Sequence, residues 1–395
     1  MSISRRILPI IVFSQFCCTS LWFAGNAVIG NLVTHFQLQP NALGHLTSAV
    51  QLGFIAGTLL FALLTIADRY PPSRVFFISA LAGALCNAGI IFEWNGFSSL
   101  MIFRFFTGFF LAGIYPVGMK IAADYFDKGL GRSLGFLVGA LVLGTAFPHL
   151  LRGITDTISW TILMVATSSI AAIGGLLMFW LVPNGPFRKP CQKVELSSFL
   201  KVFNNRSFRS AAFGYFGHMW ELYAFWTFVP VILLTNQKLY PGNQLGISLY
   251  SFLIIGSGGL ACIAGGYLAQ KFGTKNTAGT ALFLSGLCCV LSPLFIQIQS
   301  STLLVCFMIF WGMVVIADSP LFSTLVAQQA KAESKGTALT IVNCIGFAIT
   351  IISIQLLNFL QDLMNPVYLY MVLAAGPLMG LLALYGNKEK GLNQI

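Results

Sequence analysis

A chain of 395 residues that is 57% hydrophobic and 8% charged, with a mean hydropathy of +0.83, is not a soluble globular protein, in which about a quarter of residues carry charge. The formal net charge of +11 would suit nucleic acid, but the basic residues are scattered among short loops and form no contiguous stripe, so no nucleic-acid partner is expected. Nine cysteines with no CxxC spacing and the absence of a GxxxxGK[ST] loop give no metal, cofactor or direct use of ATP.

No Asp, Glu, Lys or Arg occurs from Ile7 to Ala67, or from Asn276 to Ala317. Each run is long enough for two crossings of a hydrocarbon core, at about 20 residues apiece. Only helices and closed barrels satisfy their backbone in lipid, and continuously apolar runs select helices over alternating barrel strands. We therefore expect an all-α membrane protein of twelve transmembrane helices, at roughly 7–34, 42–67, 74–93, 98–123, 133–153, 159–183, 208–235, 245–270, 276–298, 301–329, 336–360 and 366–386.

Spans 1 and 2 hold isolated polar residues, Gln15, Asn26 and Gln51, which are candidates for solute contact. The loop after span 2 reads Asp68-Arg69-Tyr70-Pro71-Pro72-Ser73-Arg74. Span 4 contains Arg104, with Gly108 and Tyr115 on its helical face, and Lys120 four residues before Asp124. A charge at the depth of Arg104 is costly unless paired or hydrated. It either contacts a substrate anion or relayed proton, or holds span 4 to backbone carbonyls. Lys120 sits near a helix end, where it can snorkel or pair with Asp124.

The longest polar stretch, Asn184–Arg209, separates an N-terminal half (1–183) from a C-terminal half (208–395) through a linker at 184–207. Within it, 197–203 is expected to lie on the membrane surface. In span 7, His218 and Glu221 are three residues apart, close to mid-membrane and surrounded by aromatic residues, Trp226 among them. A buried carboxyl beside an imidazole, which titrates near neutrality, suits a proton-coupling site; the alternative is an interhelical hydrogen-bond pair. In span 10, Asp318-Ser319-Pro320 reads as a helix break, with Ser319 as N-cap and Pro320 in the following first turn. Asp318 is then a further site residue, because broken helices near the midplane mark binding sites.

Eighteen of the 22 Lys and Arg residues fall at the termini or in the loops that follow even-numbered spans. Odd loops carry only Arg152 and Lys238, and span 4 carries Arg104 and Lys120. By the positive-inside rule both termini are cytoplasmic. The halves also echo each other at an offset of 204: Trp22 with Trp226, Gly108 with Gly312, Pro116 with Pro320.

These features resemble the major facilitator superfamily. Its loop pattern GxLaDRxGRK between spans 2 and 3 is approximated by Asp68-Arg69…Arg74, and its repeat between spans 8 and 9 by Gly266-Tyr-Leu-Ala-Gln270-Lys271-Phe-Gly273-Thr-Lys275. The first copy keeps the acid and loses the glycines; the second does the reverse. The superfamily's RxxxG motif of span 4 is matched by Arg104…Gly108. The resemblance implies two six-helix halves rocking around a central cavity formed by spans 1, 4, 7 and 10. It also implies a cytoplasmic gate at Asp68, Arg69 and Arg74, helped by Arg132.

The expected function is secondary active transport of a small solute (an organic anion, amino acid, similar metabolite or siderophore) across the cell inner membrane by a monomer among lipids. Glu221 and His218 would carry the coupling proton. Arg104, Asp318, Gln15, Asn26, Gln51 and Trp226 would contact substrate. Many exporters of the superfamily carry a Gly-Pro-rich motif in span 5, where this chain has Gly135, Gly139, Gly144, Pro148 and His149 without a Gly-Pro pair. That favours import over the alternative, a drug or metabolite efflux antiporter. A membrane-embedded enzyme would need a catalytic cluster such as HExxH, which is absent. A non-transporting sensor would need a signalling domain, for which no loop is long enough.

Overall fold

The structure, a computed structural model, describes residues 6–39, 41–126, 130–154, 159–188, 201–330 and 335–386. Among the described residues, 9 helices are long and apolar enough to cross a membrane, and two shorter apolar segments, Ile7–Thr19 and Leu369–Tyr385, add to them. The twelfth is α11 (Arg206–Leu239), whose 34 residues include His218, Glu221 and several other polar side chains. The chain is thus an all-helical, multi-pass membrane protein of two six-helix halves.

The first half contains α1 (Ile7–Thr19), α2 (Ala24–Ala27), α3 (Ile29–His35), α4 (Ala42–Leu63), α5 (Ile66–Arg69), α6 (Pro72–Ala88), α7 (Phe97–Leu111), α8 (Tyr115–Tyr125), α9 (Leu130–Ile154) and α10 (Trp160–Leu181). The second contains α11, α12 (Ile247–Phe272), α13 (Thr274–Ile296), α14 (Ser301–Ala317), α15 (Ser319–Gln329), α16 (Lys335–Leu360) and α17 (Ala375–Tyr385). Most of the expected surface segment 197–203 lies outside the described residues, and Lys201–Asn204 forms a 3-10 turn.

Span 1 departs from the expectation of one continuous helix. It breaks at residues 20–23 and continues as two short pieces, α2 and α3. The break frees the carbonyls of Leu21 and Trp22, and Arg104 answers both.

The 204-residue echo is structural. Helices α7 and α14 start at Phe97 and Ser301, and α8 and α15 run Tyr115–Tyr125 and Ser319–Gln329. A Cβ on Gly108 would collide with the Val50 carbonyl, and one on Gly312 with that of Ile254. All of these residues are paired at the same offset. The repeated glycines let spans 4 and 10 approach spans 2 and 8 at backbone distance, as small residues do between membrane helices.

The halves meet along α4 with α16 and α9 with α12. At the end opposite the basic loops, Gln355 Nε2 donates to Gly44 O (3.1 Å) and Ser48 Oγ (2.7 Å), and Asn358 Nδ2 donates to Asn41 O (3.1 Å). Gly153 there lies against the backbone of Leu249. Toward the basic end, a cavity of about 390 Å³ opens between α9, α12 and α15. The halves are thus bonded to each other at the first end, and a wedge separates α9 from α12 at the second.

Candidate functional site

His218 and Glu221 occupy successive turns of α11 and face different neighbours. His218 Nδ1 lies 2.8 Å from Asp318 Oδ1, with both side chains 1% exposed. The pair completes no well-directed hydrogen bond, and His218 Nε2 and Asp318 Oδ2 have no partner among the described residues. Glu221 instead accepts from Trp311 Nε1 (2.6 Å) and Ser285 Oγ (2.8 Å). Trp311 stands two turns before Asp318, so spans 7 and 10 are joined at two levels. The structure therefore groups His218 with Asp318, and sets Glu221 apart with two residues that sequence reasoning did not single out.

Asp318 sits at a single-residue interruption between α14 and α15. Pro320 lacks an N–H and cannot bond to the Ile316 carbonyl, which accepts from the Asp318 N–H and from Cys262 Sγ at 3.5 Å. The N-cap of α15 is Asp318, not the expected Ser319, and its side chain makes no cap bond. The carboxylate is thereby left for His218.

Arg104 is 1% exposed and turns toward spans 1 and 3. Its Nη1 donates to Leu21 O (3.1 Å) and Asn87 Oδ1 (3.4 Å), and its Nη2 donates to Trp22 O. Asn87 in turn donates to Thr167 Oγ1 and Ser168 Oγ of span 6. Of the two readings left open by the sequence, this geometry is the grip on backbone carbonyls. Asn87, a lone amide in the apolar third span, was the overlooked signal.

The remaining candidates divide likewise. Asn26 donates to Thr47 Oγ1 at 2.9 Å, fastening span 1 to span 2. Gln15 and Gln51 are fully buried, with both side-chain polar atoms unpartnered among the described residues. Gln51 lies one turn from Thr47 and one from Phe54, both of which face span 1. Trp226 packs on Phe23 (6.2 Å) and Tyr223 (5.3 Å), and its indole N–H is also unpartnered.

A layer of aromatic rings closes the centre between the halves. Trp22 lies 4.9 Å from Phe54, 5.7 Å from Tyr223 and 5.8 Å from Phe347, and Phe54 lies 4.5 Å from Phe347. Such pairs are worth about 0.5–1.5 kcal/mol each beyond their buried area, enough to seal a passage and little enough to be opened. Only Trp226 of this layer was expected as a site residue, although Trp22 was visible as its repeat partner.

Comparison with known proteins decides the family. A family model described as Major Facilitator Superfamily matches residues 11–354. The chain belongs to the major facilitator superfamily. A bacterial homolog of the human lysosomal transporter Spinster, solved inward-facing and unoccupied, superposes with a TM-score of 0.72 at 14% identity, over 97% of this chain and 95% of that one. A mutant of the nucleoside transporter NupG gives 0.72 at 14% identity, over 96% and 98%. At that identity the likeness concerns the fold. A putative inorganic phosphate transporter of Oryza sativa subsp. japonica is 27% identical over 137 residues, which are 33% of this chain and only 26% of that protein's length. The chain is thus a superfamily transporter of a solute.

The superfamily loop between spans 2 and 3 is held differently from expectation. Asp68 Oδ1 pairs with Lys120 Nζ at 2.8 Å, and Lys120 also lies 3.7 Å from Asp124. Arg188 Nη2 donates to the carbonyls of Asp68 (2.7 Å) and Tyr70 (2.9 Å). Arg69 turns back to Thr65 Oγ1 at 3.1 Å, Arg74 is exposed, and the side chain of Arg132 lies outside the described residues. Among the described residues the acid's cation is therefore Lys120 of span 4. Lys120 reaches inward to it because its ammonium can meet two carboxylates there.

Proposed function

We propose that this transporter moves a small zwitterionic or neutral metabolite, of the amino-acid class, together with a proton carried by the His218–Asp318 pair. The cell inner membrane is its site, with the termini and basic loops in the cytoplasm, and the missing Gly-Pro pair in span 5 supports import. The observation that carries the reading is the pair itself: two titratable groups 2.8 Å apart, fully buried, each with an unanswered polar atom. An ionisable residue inside a membrane protein is costly and marks ion pathways and proton relays. Glu221, by contrast, has both carboxylate oxygens occupied. That supports a fixed tie between spans 7, 9 and 10 for Glu221 rather than the coupling role first expected of it.

The solute class is supported by buried polar atoms that have no partner among the described residues. Gln15, Gln51 and the indoles of Trp22 and Trp226 supply neutral donors and acceptors, and a zwitterion can answer both members of the His–Asp pair. Arg104 has committed its Nη donors to Leu21, Trp22 and Asn87, which weighs against an organic anion and against the phosphate suggested by the name of the rice relative. The test is proteoliposomes with a trapped pH indicator, challenged with amino acids, organic acids and organic cations. Zwitterion-dependent proton entry is expected in the wild type and in Glu221→Gln, and none in Asp318→Asn. A response to organic acids alone, abolished by Arg104→Lys, would return Arg104 to the site and overturn the reading.

A further inference from the structure

The seam between α9 and α12 is tight at mid-depth and widens toward the basic end. A Cβ on Gly259 would lie 3.4 Å from the Gly139 carbonyl oxygen, so the helices touch there. One to two turns farther on, an added Cβ on Gly135 or Gly266 meets nothing within 4 Å among the described residues. The wedge between them measures about 390 Å³. Phe136, Ile263 and Tyr267 form its walls and Leu321 of α15 its back, while Gln270, Thr274 and Thr324 line it toward the basic end. Tyr267 is 63% exposed. In a membrane-spanning helix that surface meets hydrocarbon, so the wedge opens sideways into the bilayer. Lys271, its ammonium over Phe272, and Lys275, its ammonium over Tyr385 of α17, are exposed just beyond it, at the level of lipid headgroups.

We propose that this wedge holds an acyl chain of an anionic phospholipid from the leaflet at the basic end, and that the tail keeps the two halves parted there. The walls match a hydrocarbon chain, and the two lysines match an anionic headgroup, since basic clusters at a membrane surface attract acidic lipid. Closing the basic end requires α9 and α12 to meet at Gly135 and Gly266 as they already do at Gly139 and Gly259, which expels the tail. A ligand that binds one conformation better than the other shifts the population toward it, so the lipid favours the present one.

The experiment uses the full chain in nanodiscs of phosphatidylcholine doped with phosphatidylglycerol carrying a photoactivatable group near the tail end, followed by peptide mapping. Adducts are expected at Phe136, Ile263 or Tyr267. They should be lost in Gly266→Phe, which fills the open space, while labelling of the lipid-facing Leu260 persists. Gly135→Leu fills the wedge from the other wall and serves if the first variant does not fold. A phosphatidylcholine probe should label these sites less, and Lys271→Gln with Lys275→Gln should remove the difference. Absence of adducts in the wild type, or adducts that survive in a folded filled variant, would overturn the proposal. Equal labelling by the two headgroups would overturn the anionic assignment.

Discussion

Arg104 joins parts of the first half that are distant in sequence. A guanidinium in hydrocarbon is costly unless its donors are answered, and here span 1, by breaking, supplies two acceptors to the Nη atoms, while Nε has no partner among the described residues. The motif in span 4 made Arg104 visible in the sequence; its partners were not, because backbone carbonyls more than 80 residues away leave no side-chain signature. Lys keeps the charge but cannot fork to several acceptors. We therefore expect Arg104→Lys to lose about 2–3 kcal/mol, read as a lower melting temperature in detergent, with the solute-induced shift retained. An unchanged melting temperature with the solute shift abolished would make Arg104 a substrate contact. Glu221 shows the same limit of a single sequence: its spacing to His218 suggested one site, but a three-residue step on a helix also allows two neighbouring side chains to lean toward different helices.

At the scale of elements, the length and apolarity of the spans were legible because lipid permits few alternatives. The boundaries of α14–α15 at 301 and 329 coincide with the expected tenth span. The break in span 1 was not legible: no proline marks it, and its cause lies in α7. The pairing of Asp68 with Lys120 was missed for a similar reason, since the residues are 52 positions apart and a basic loop offered nearer cations. The repeated glycines are the better-resolved element-level signal. Gly108→Leu drives a side chain into the Val50 carbonyl, and overpacking of this kind costs about 1–3 kcal/mol. Its melting temperature is expected to fall, as should that of Gly312→Leu, whereas Gly135→Leu, which meets nothing within 4 Å, should melt near the wild type. Equal destabilisation at all three positions would remove the close helix approach as the reason for glycine.

For the whole molecule, the two-half architecture could be read from charge distribution and repeat, and the central place of spans 1, 4, 7 and 10 was implied by the superfamily resemblance. Which end stands open could not, because it depends on contacts between halves that have no counterpart in the repeat. The closed end rests on the Gln355 and Asn358 bonds to α4. Three bonds at about 1 kcal/mol each shift a two-state equilibrium by roughly a hundredfold. Gln355→Ala with Asn358→Ala is therefore expected to populate a state open at that end, seen as longer distances between spin labels on α4 and α16. Unchanged distances would mean that the aromatic layer and the Gly153–Leu249 contact hold the closure without these bonds. The central claim, that the buried His218–Asp318 pair is where the transported proton resides, can be tested before any solute is known. Infrared difference spectra of the purified protein in lipid, titrated over a wide pH range, should show a carboxyl protonation band that vanishes in Asp318→Asn and persists in Glu221→Gln. A band that persists in Asp318→Asn and vanishes in Glu221→Gln would contradict the account and assign the proton to Glu221.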